Sequence, residues 1–148
     1  PTTIAFGPDE KLYVGTSSGK LLKLTLNNEM NAVTGSLVST VVRDSNPKCS
    51  GSSCRVILGI AFDPLDTSDP NPCVYVSHSE LFHGSATSSS GGSINGKVSK
   101  ICGSNLDIME DVVTGLPVSD HGTFNKAILP CFAHILRRSR SQWHRIRR

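Results

Sequence analysis

The sequence predicts an all-β fold of repeated four-stranded units, on three grounds. The first is an internal repeat: Ile4-Ala5-Phe6-Gly7-Pro8 is answered by Ile60-Ala61-Phe62-Asp63-Pro64. Leu12-Tyr13-Val14 is answered by Val74-Tyr75-Val76, and Gly19-Lys20-Leu21-Leu22-Lys23-Leu24 by Gly96-Lys97-Val98-Ser99-Lys100-Ile101, in the same order. Self-similarity of this kind fixes architecture before any single residue does. The second ground is that each matched segment is short, β-branched or aromatic, and bounded by Pro, Gly, Asp or Ser. The third is that apolar residues at helical spacing are nearly absent before residue 125, which disfavours α/β folds.

Along the chain, the unit reads strand, Pro-containing turn, strand, Gly-containing turn, strand, and then a further strand: Leu37 to Arg43 in the first copy, Asp107 to Val113 in the second. The second copy carries insertions, Asp66 to Pro72 in one turn and a Ser- and Gly-rich loop from His83 to Asn95. Four short antiparallel strands per unit describe a propeller blade. The expected fold is therefore a partial β-propeller, two blades within residues 1 to 115, with Phe6 and Phe62 in equivalent core positions. Closing a ring takes about four blades or more, so an arc of two leaves its outer strands unpaired. A complete small β-sandwich is the simpler alternative.

Charge divides the chain. All twelve acids lie at or before Asp120, whereas from Gly122 onward there are only the positives Lys126, Arg137, Arg138, Arg140, Arg145, Arg147 and Arg148. Removing those seven from the fifteen Lys and Arg leaves eight against twelve acids, about −4 in the first part against +7 in the tail. Two segments are expected: a propeller-like part over 1–122 and a basic tail over 123–148. Ile128, Phe132, Ile135 and Leu136 fall at helical spacing, but Pro130 interrupts them. Loss of every acid together with loss of the repeat is what an altered reading frame or splice junction produces, and the tail is expected to be disordered. A membrane- or nucleic-acid-binding helix is the weaker alternative, and nucleic acid is not an expected partner.

No apolar run approaches the roughly 18 to 20 residues of a membrane span. The chain starts at Pro1 with no basic-then-apolar leader, so a signal peptide is expected to be absent or removed. Of the five cysteines, Cys49, Cys54, Cys73, Cys102 and Cys131, a disulfide between two of Cys49, Cys54 and Cys73 is one expectation and buried free thiols the other.

With the units placed, the wording resembles a known family. Ile57-Leu58-Gly59-Ile60-Ala61-Phe62-Asp63-Pro64, Val74-Tyr75-Val76-Ser77, and Gly115-Leu116-Pro117 leading to Asp120-His121-Gly122 are similar to the amino-terminal region of soluble quinoprotein glucose/sorbosone dehydrogenases. The look is that of animal members similar to hedgehog-interacting-protein-like proteins, and the resemblance spans residues 1 to about 122. It implies a six-bladed, secreted propeller holding pyrroloquinoline quinone, with calcium beside it, and a sugar as substrate. By position it implies that His121 is the general base, with Asp120 alongside it as catalytic partner and cofactor-side residue.

Three departures from the family pattern limit the carry-over. Catalytic members carry Gln or Glu where this chain has Cys54; Thr123 to Pro130 replaces the expected next inner strand; and the blades that would supply calcium ligands and quinone-binding cations are not matched in this sequence. The expectation is a fragment or truncated form that binds no cofactor and is inactive alone, or else a non-catalytic extracellular propeller whose partner is a protein ligand. A smaller departure is Asp9-Glu10, where the family turn reads Asp-Gly; a positive φ at Glu10 would cost about 1 kcal/mol.

Other constellations are weaker. His78, Glu80 and His83 suggest a metal site but lack further ligands at reliable spacing, and Asp63, Asp66 and Asp69 lack the Gly and terminal Glu of a calcium loop. Turn roles are expected for these aspartates. Dinucleotide, P-loop and serine-elbow motifs are absent from the sequence.

Overall fold

The computed structural model describes residues 1–45, 55–64, 66, 70–80 and 96–116. The tail 123–148, the loop His83 to Asn95, the pair Asp120 and His121, and Cys49, Cys54 and Cys131 lie outside them. The described part is mostly β: two four-stranded antiparallel sheets, neither closed on itself. Sheet 1 is β1 (Thr3–Phe6), β2 (Leu12–Gly15), β3 (Leu21–Leu26) and β4 (Val33–Ser39), adjacent in chain order; sheet 2 is β5 (Arg55–Phe62), β6 (Val74–Glu80), β7 (Gly96–Cys102) and β8 (Ile108–Leu116), likewise.

Turn chemistry sets the meander. Gly7 and Glu10 close the β1–β2 turn through the Glu10 N–H to Gly7 carbonyl bond, and Glu10 sits at φ +59°. The left-handed residue expected there is therefore present without the glycine that would relieve it, at a cost of about 1 kcal/mol. The β2–β3 turn ends on Gly19 at φ +70°, where a Cβ would stand 2.7 Å from the Arg55 carbonyl oxygen. Glycine is needed at that position twice over, for the dihedral and for the approach of the second unit.

The repeat reads directly onto the registers. Phe6 pairs with Leu12 as Phe62 pairs with Val74, and Leu12 pairs with Leu24 as Val74 pairs with Ile101. Lys23 lies over Tyr13 at 5.7 Å and Lys100 over Tyr75 at 6.0 Å, so even a side-chain pair recurs. One outermost strand departs from expectation: β4 ends at Ser39, and Val41–Asp44 form the short helix α1 rather than continuing to Arg43 as strand. The reason is that β3 begins at Leu21, whose partner is Ser39, so nothing is left to pair with beyond it. The helical turn instead delivers Val42 into the core.

That core lies between the sheets. Tyr13, Leu21 and Val42 meet Ile57, Ile60, Val74, Val76, Ile101 and Leu106, all buried. Phe62 meets the Tyr13 ring edge-on at 4.8 Å between centroids, a favoured aromatic geometry. Two bonds tie β5 to sheet 1: Ile57 N–H donates to the carbonyl of Thr16, just past β2, at 3.1 Å, and the hydroxyl of Thr2, just before β1, donates to the Ile57 carbonyl. At the opposite margin the Ser39 hydroxyl donates to the Leu106 carbonyl at 2.6 Å, fixing the β7–β8 turn, where Leu106 holds φ +53° while its side chain is buried.

Phe6 corrects one expectation. It holds the same register position as Phe62 but is 54% exposed, because the face of β1 that carries Ile4 and Phe6 points away from sheet 2. In sheet 2 the equivalent face points inward, onto sheet 1. The two phenylalanines are equivalent in topology and opposite in environment.

Candidate functional site

The most concentrated polar group among the described residues crosses sheet 2, on the face turned to sheet 1. Strand pairing sets His78 opposite Ile57 and Lys97, and Ser99 opposite Val76 and Asp111, so His78, Lys97, Ser99 and Asp111 share one face. Arg55, buried at the start of β5, reaches the same group.

The bonds run in one direction. Arg55 Nε–H donates to His78 Nδ1 at 2.8 Å, and a guanidinium has no acceptor, so Nδ1 must be unprotonated. His78 Nε2 therefore carries the hydrogen and donates to Ser99 Oγ at 2.7 Å. The Ser99 hydroxyl in turn donates to Asp111 Oδ1 at 2.7 Å, and Lys97 Nζ donates to Asp111 Oδ2 at 2.6 Å. Arg55 also faces Glu80, with Nη1 to Oε1 at 4.0 Å. No described buried side-chain nitrogen or oxygen lacks a partner.

Electrostatics agree with the geometry. Burial, and then the adjacent Arg55 charge, push His78 down to about 3, while the Asp111 charge opposes them. Burial raises Asp111, but the hydrogen bonds from Lys97 and Ser99 outweigh it and hold the carboxyl below the usual range. Burial lowers the Arg55 guanidinium, against the charges of Glu80 and Asp111. His78 is thus neutral near pH 7 and has no free lone pair.

This arrangement contains Ser, His and Asp but not the wiring of a nucleophile. In an activated serine the hydroxyl donates to the imidazole and the carboxylate orients the imidazole's other N–H. Here the hydroxyl donates to the carboxylate, and the outer imidazole nitrogen accepts from arginine. A base with a pKa near 3 is also poorly matched to work at neutral pH. The chain of bonds is a buried polar strut, and both ring nitrogens of His78 are taken, so the metal alternative built on His78, Glu80 and His83 loses its first ligand. Among the described residues no group of His, Cys, Asp and Glu has the size to hold a metal ion.

No protein-family model matches the chain, and no curated protein matches it.

Two further polar groups are structural. Asp9 Oδ2 accepts from Lys23 Nζ at 2.7 Å and from the Tyr13 hydroxyl at 3.1 Å, and Lys23 also donates to the Pro70 carbonyl at 3.1 Å. Burial, then the Asp9 charge, raise Tyr13 well above the ordinary phenol range, so it neither gives nor takes a proton at working pH. A groove of about 640 Å³ is lined in part by Ser39, Thr40, Asp44, Asn105 and Asp107. Its Asp44 is already bonded by Arg43 and Thr40, the Arg43 bond being the main cause of its lowered pKa.

The aspartates weighed for calcium have the expected turn roles where described: Asp66 N–H donates to the Asp63 carbonyl, and Asp66 Oδ2 accepts from Cys73 N–H at 3.1 Å. Cys73 is disulfide-bonded to Cys102, with 4.4 Å between Cα atoms. The expected pairing of Cys73 with Cys49 or Cys54 is therefore not the one formed, while a Cys49–Cys54 pair lies outside the described residues. Val74 pairs with Ile101, so Cys73 and Cys102 are the next residues outward on β6 and β7, neighbours made by strand register rather than by sequence. Among the described residues no helix is long and apolar enough to cross a membrane.

Proposed function

We propose that the chain is a pair of adjacent blades of a secreted β-propeller similar to the soluble glucose/sorbosone dehydrogenases, a portion that oxidises no sugar by itself. The observation that carries this reading is the register-for-register equivalence of the two meanders, down to the Lys23–Tyr13 and Lys100–Tyr75 pairs. Repetition with the second unit packed on the flank of the first is how blades succeed one another around an axis. The Cys73–Cys102 disulfide supports an oxidising, extracellular setting.

In the family, pyrroloquinoline quinone when bound supplies the hydride acceptor, and calcium lies beside it. By resemblance Asp120 and His121 would serve there, His121 taking the sugar hydroxyl proton; both lie outside the described residues. The test is dye-linked sugar oxidation by the 148-residue chain with added quinone and calcium. No reduction above the quinone-free blank is expected, and quinone-dependent reduction would reject the reading.

A second reading is favoured by one observation, Cys54 in place of the Gln or Glu of catalytic members: a binding propeller similar to hedgehog-interacting proteins, with a protein rather than a sugar as partner. Glutamine restored at that position in a ring-completing chain separates the two, since only a dehydrogenase scaffold gains quinone-dependent turnover from it.

A further inference from the structure

The joint between the two sheets runs through the start of β5. Ile57 N–H donates to the Thr16 carbonyl, the Thr2 hydroxyl donates to the Ile57 carbonyl, and the Ile57 side chain lies so close to Gly15 that a Cβ there would stand 2.6 Å from it. The Arg55 carbonyl approaches Gly19 in the same way. Its own sheet grips this stretch on one side only, because β5 is an edge strand, and the register with β6 shifts between Ile57 and Gly59.

The buried Arg55 side chain ties the stretch to β6 by donating from Nε to His78 Nδ1. That bond requires an unprotonated nitrogen. With a proton on Nδ1, two donors and two cations would face each other at 2.8 Å, so one of the two must move. The surroundings decide which. His78 is held from its other nitrogen through Ser99 to Asp111, whose charge favours an imidazolium more than the charge of Lys97 opposes it. Arg55 stands on the edge strand, and the carboxylate near it, Glu80 with Oε1 4.0 Å from Nη1, is 46% exposed and so offers the guanidinium a place at the surface. Among the elements of sheet 1 that pack on β5, α1 carries Arg43 and Asp44, paired with each other, and β1 and β2 carry only the Tyr13 hydroxyl, bonded to Asp9.

We infer that the Arg55–His78 bond is an acid-released latch on this joint: when His78 takes up a proton, Arg55 withdraws and the start of β5 parts from sheet 1, while β6, β7 and β8 stay paired. The signal read is an acidic medium, and the property set by it is how firmly the second unit is fixed to the first. The latch operates whether or not the sheets are propeller blades.

Amide hydrogen exchange on the 148-residue chain, expressed as protection factors from pH 7 to pH 4.5, tests this. The Ile57 amide, whose acceptor lies across the joint, is expected at pH 5 to be at least about tenfold less protected than the amides of Val98 to Ile101 in β7. Its protection should fall by up to about tenfold per pH unit below about 6.5, the slope for uptake of one proton. In His78→Gln, which keeps an acceptor for Arg55 and a donor for Ser99, that slope at Ile57 should vanish while the circular dichroism of the strands is retained. Equal protection of Ile57 and β7 at every pH would mean that only unfolding of the whole chain opens the joint, and would overturn the inference. So would Ile57 protection that stays flat with pH in the native chain, or that falls as steeply in His78→Gln.

Discussion

His78→Leu is expected to destabilise the chain by about 3–5 kcal/mol, whereas His78→Gln should keep most of the stability and remove most of its sensitivity to acid. Leucine leaves the Arg55 Nε–H without its acceptor and takes the donor away from Ser99, in a site closed to water. Glutamine offers a carbonyl to the arginine and an N–H to the serine. The acid effect has a definite sign. Folding depresses His78 from its ordinary 6.5 to about 3, so as pH falls the unfolded chain binds the proton first. The contribution is complete above about pH 6.5 and is lost as pH falls from there toward 3, at about 1 kcal/mol per pH unit. Urea midpoints measured from pH 7 to pH 4 should decline more steeply for the native chain than for His78→Gln. Equal slopes would mean that His78 is not the buried neutral group described.

Loss of the Cys73–Cys102 disulfide is the second large effect. The bridge spans a sequence separation of 29, which on chain-entropy grounds stabilises by about 3–4 kcal/mol through restriction of the unfolded chain. The double variant Cys73→Ser, Cys102→Ser should show that loss in its denaturation midpoint. Because Val74 and Ile101 beside the bridge are fully buried, protection from hydrogen exchange should fall first at that end of β6 and β7. A loss below about 1 kcal/mol would show that strand pairing alone holds the two ends.

The strands were legible in the sequence because their signals are local. Ile4–Phe6, Leu12–Val14 and Leu21–Leu24 announce themselves by β-branched and aromatic composition between turn residues, and each lies within or along an observed strand. The direction in which a face points is not a local property. Phe6 and Phe62 each follow Ile-Ala and stand two residues before Pro, and the order of the sheets in space makes one solvent-facing and the other part of the core. The polar strut was missed for a similar reason. Arg55, His78, Ser99 and Asp111 come from four strands and converge through register, with the bulges near Ile57 and Val98 shifting that register in ways no spacing rule reports. One signal was available: by period-two alternation His78 continues the face of Val74 and Val76, and Ser99 shares the face of Ile101, and a polar residue on a buried face needs a partner.

The chain folds as two equivalent four-stranded units, the second packed on the flank of the first, and proton NMR probes that packing through the contacts of two rings. Nuclear Overhauser contacts are expected between the Tyr13 and Phe62 rings and between the Gly15 backbone and the Ile57 side chain, alongside cross-strand contacts of Phe6 with Leu12. A spectrum in which Phe62 contacts only residues of its own sheet, and Tyr13 only those of sheet 1, would show that the two units do not pack in this way.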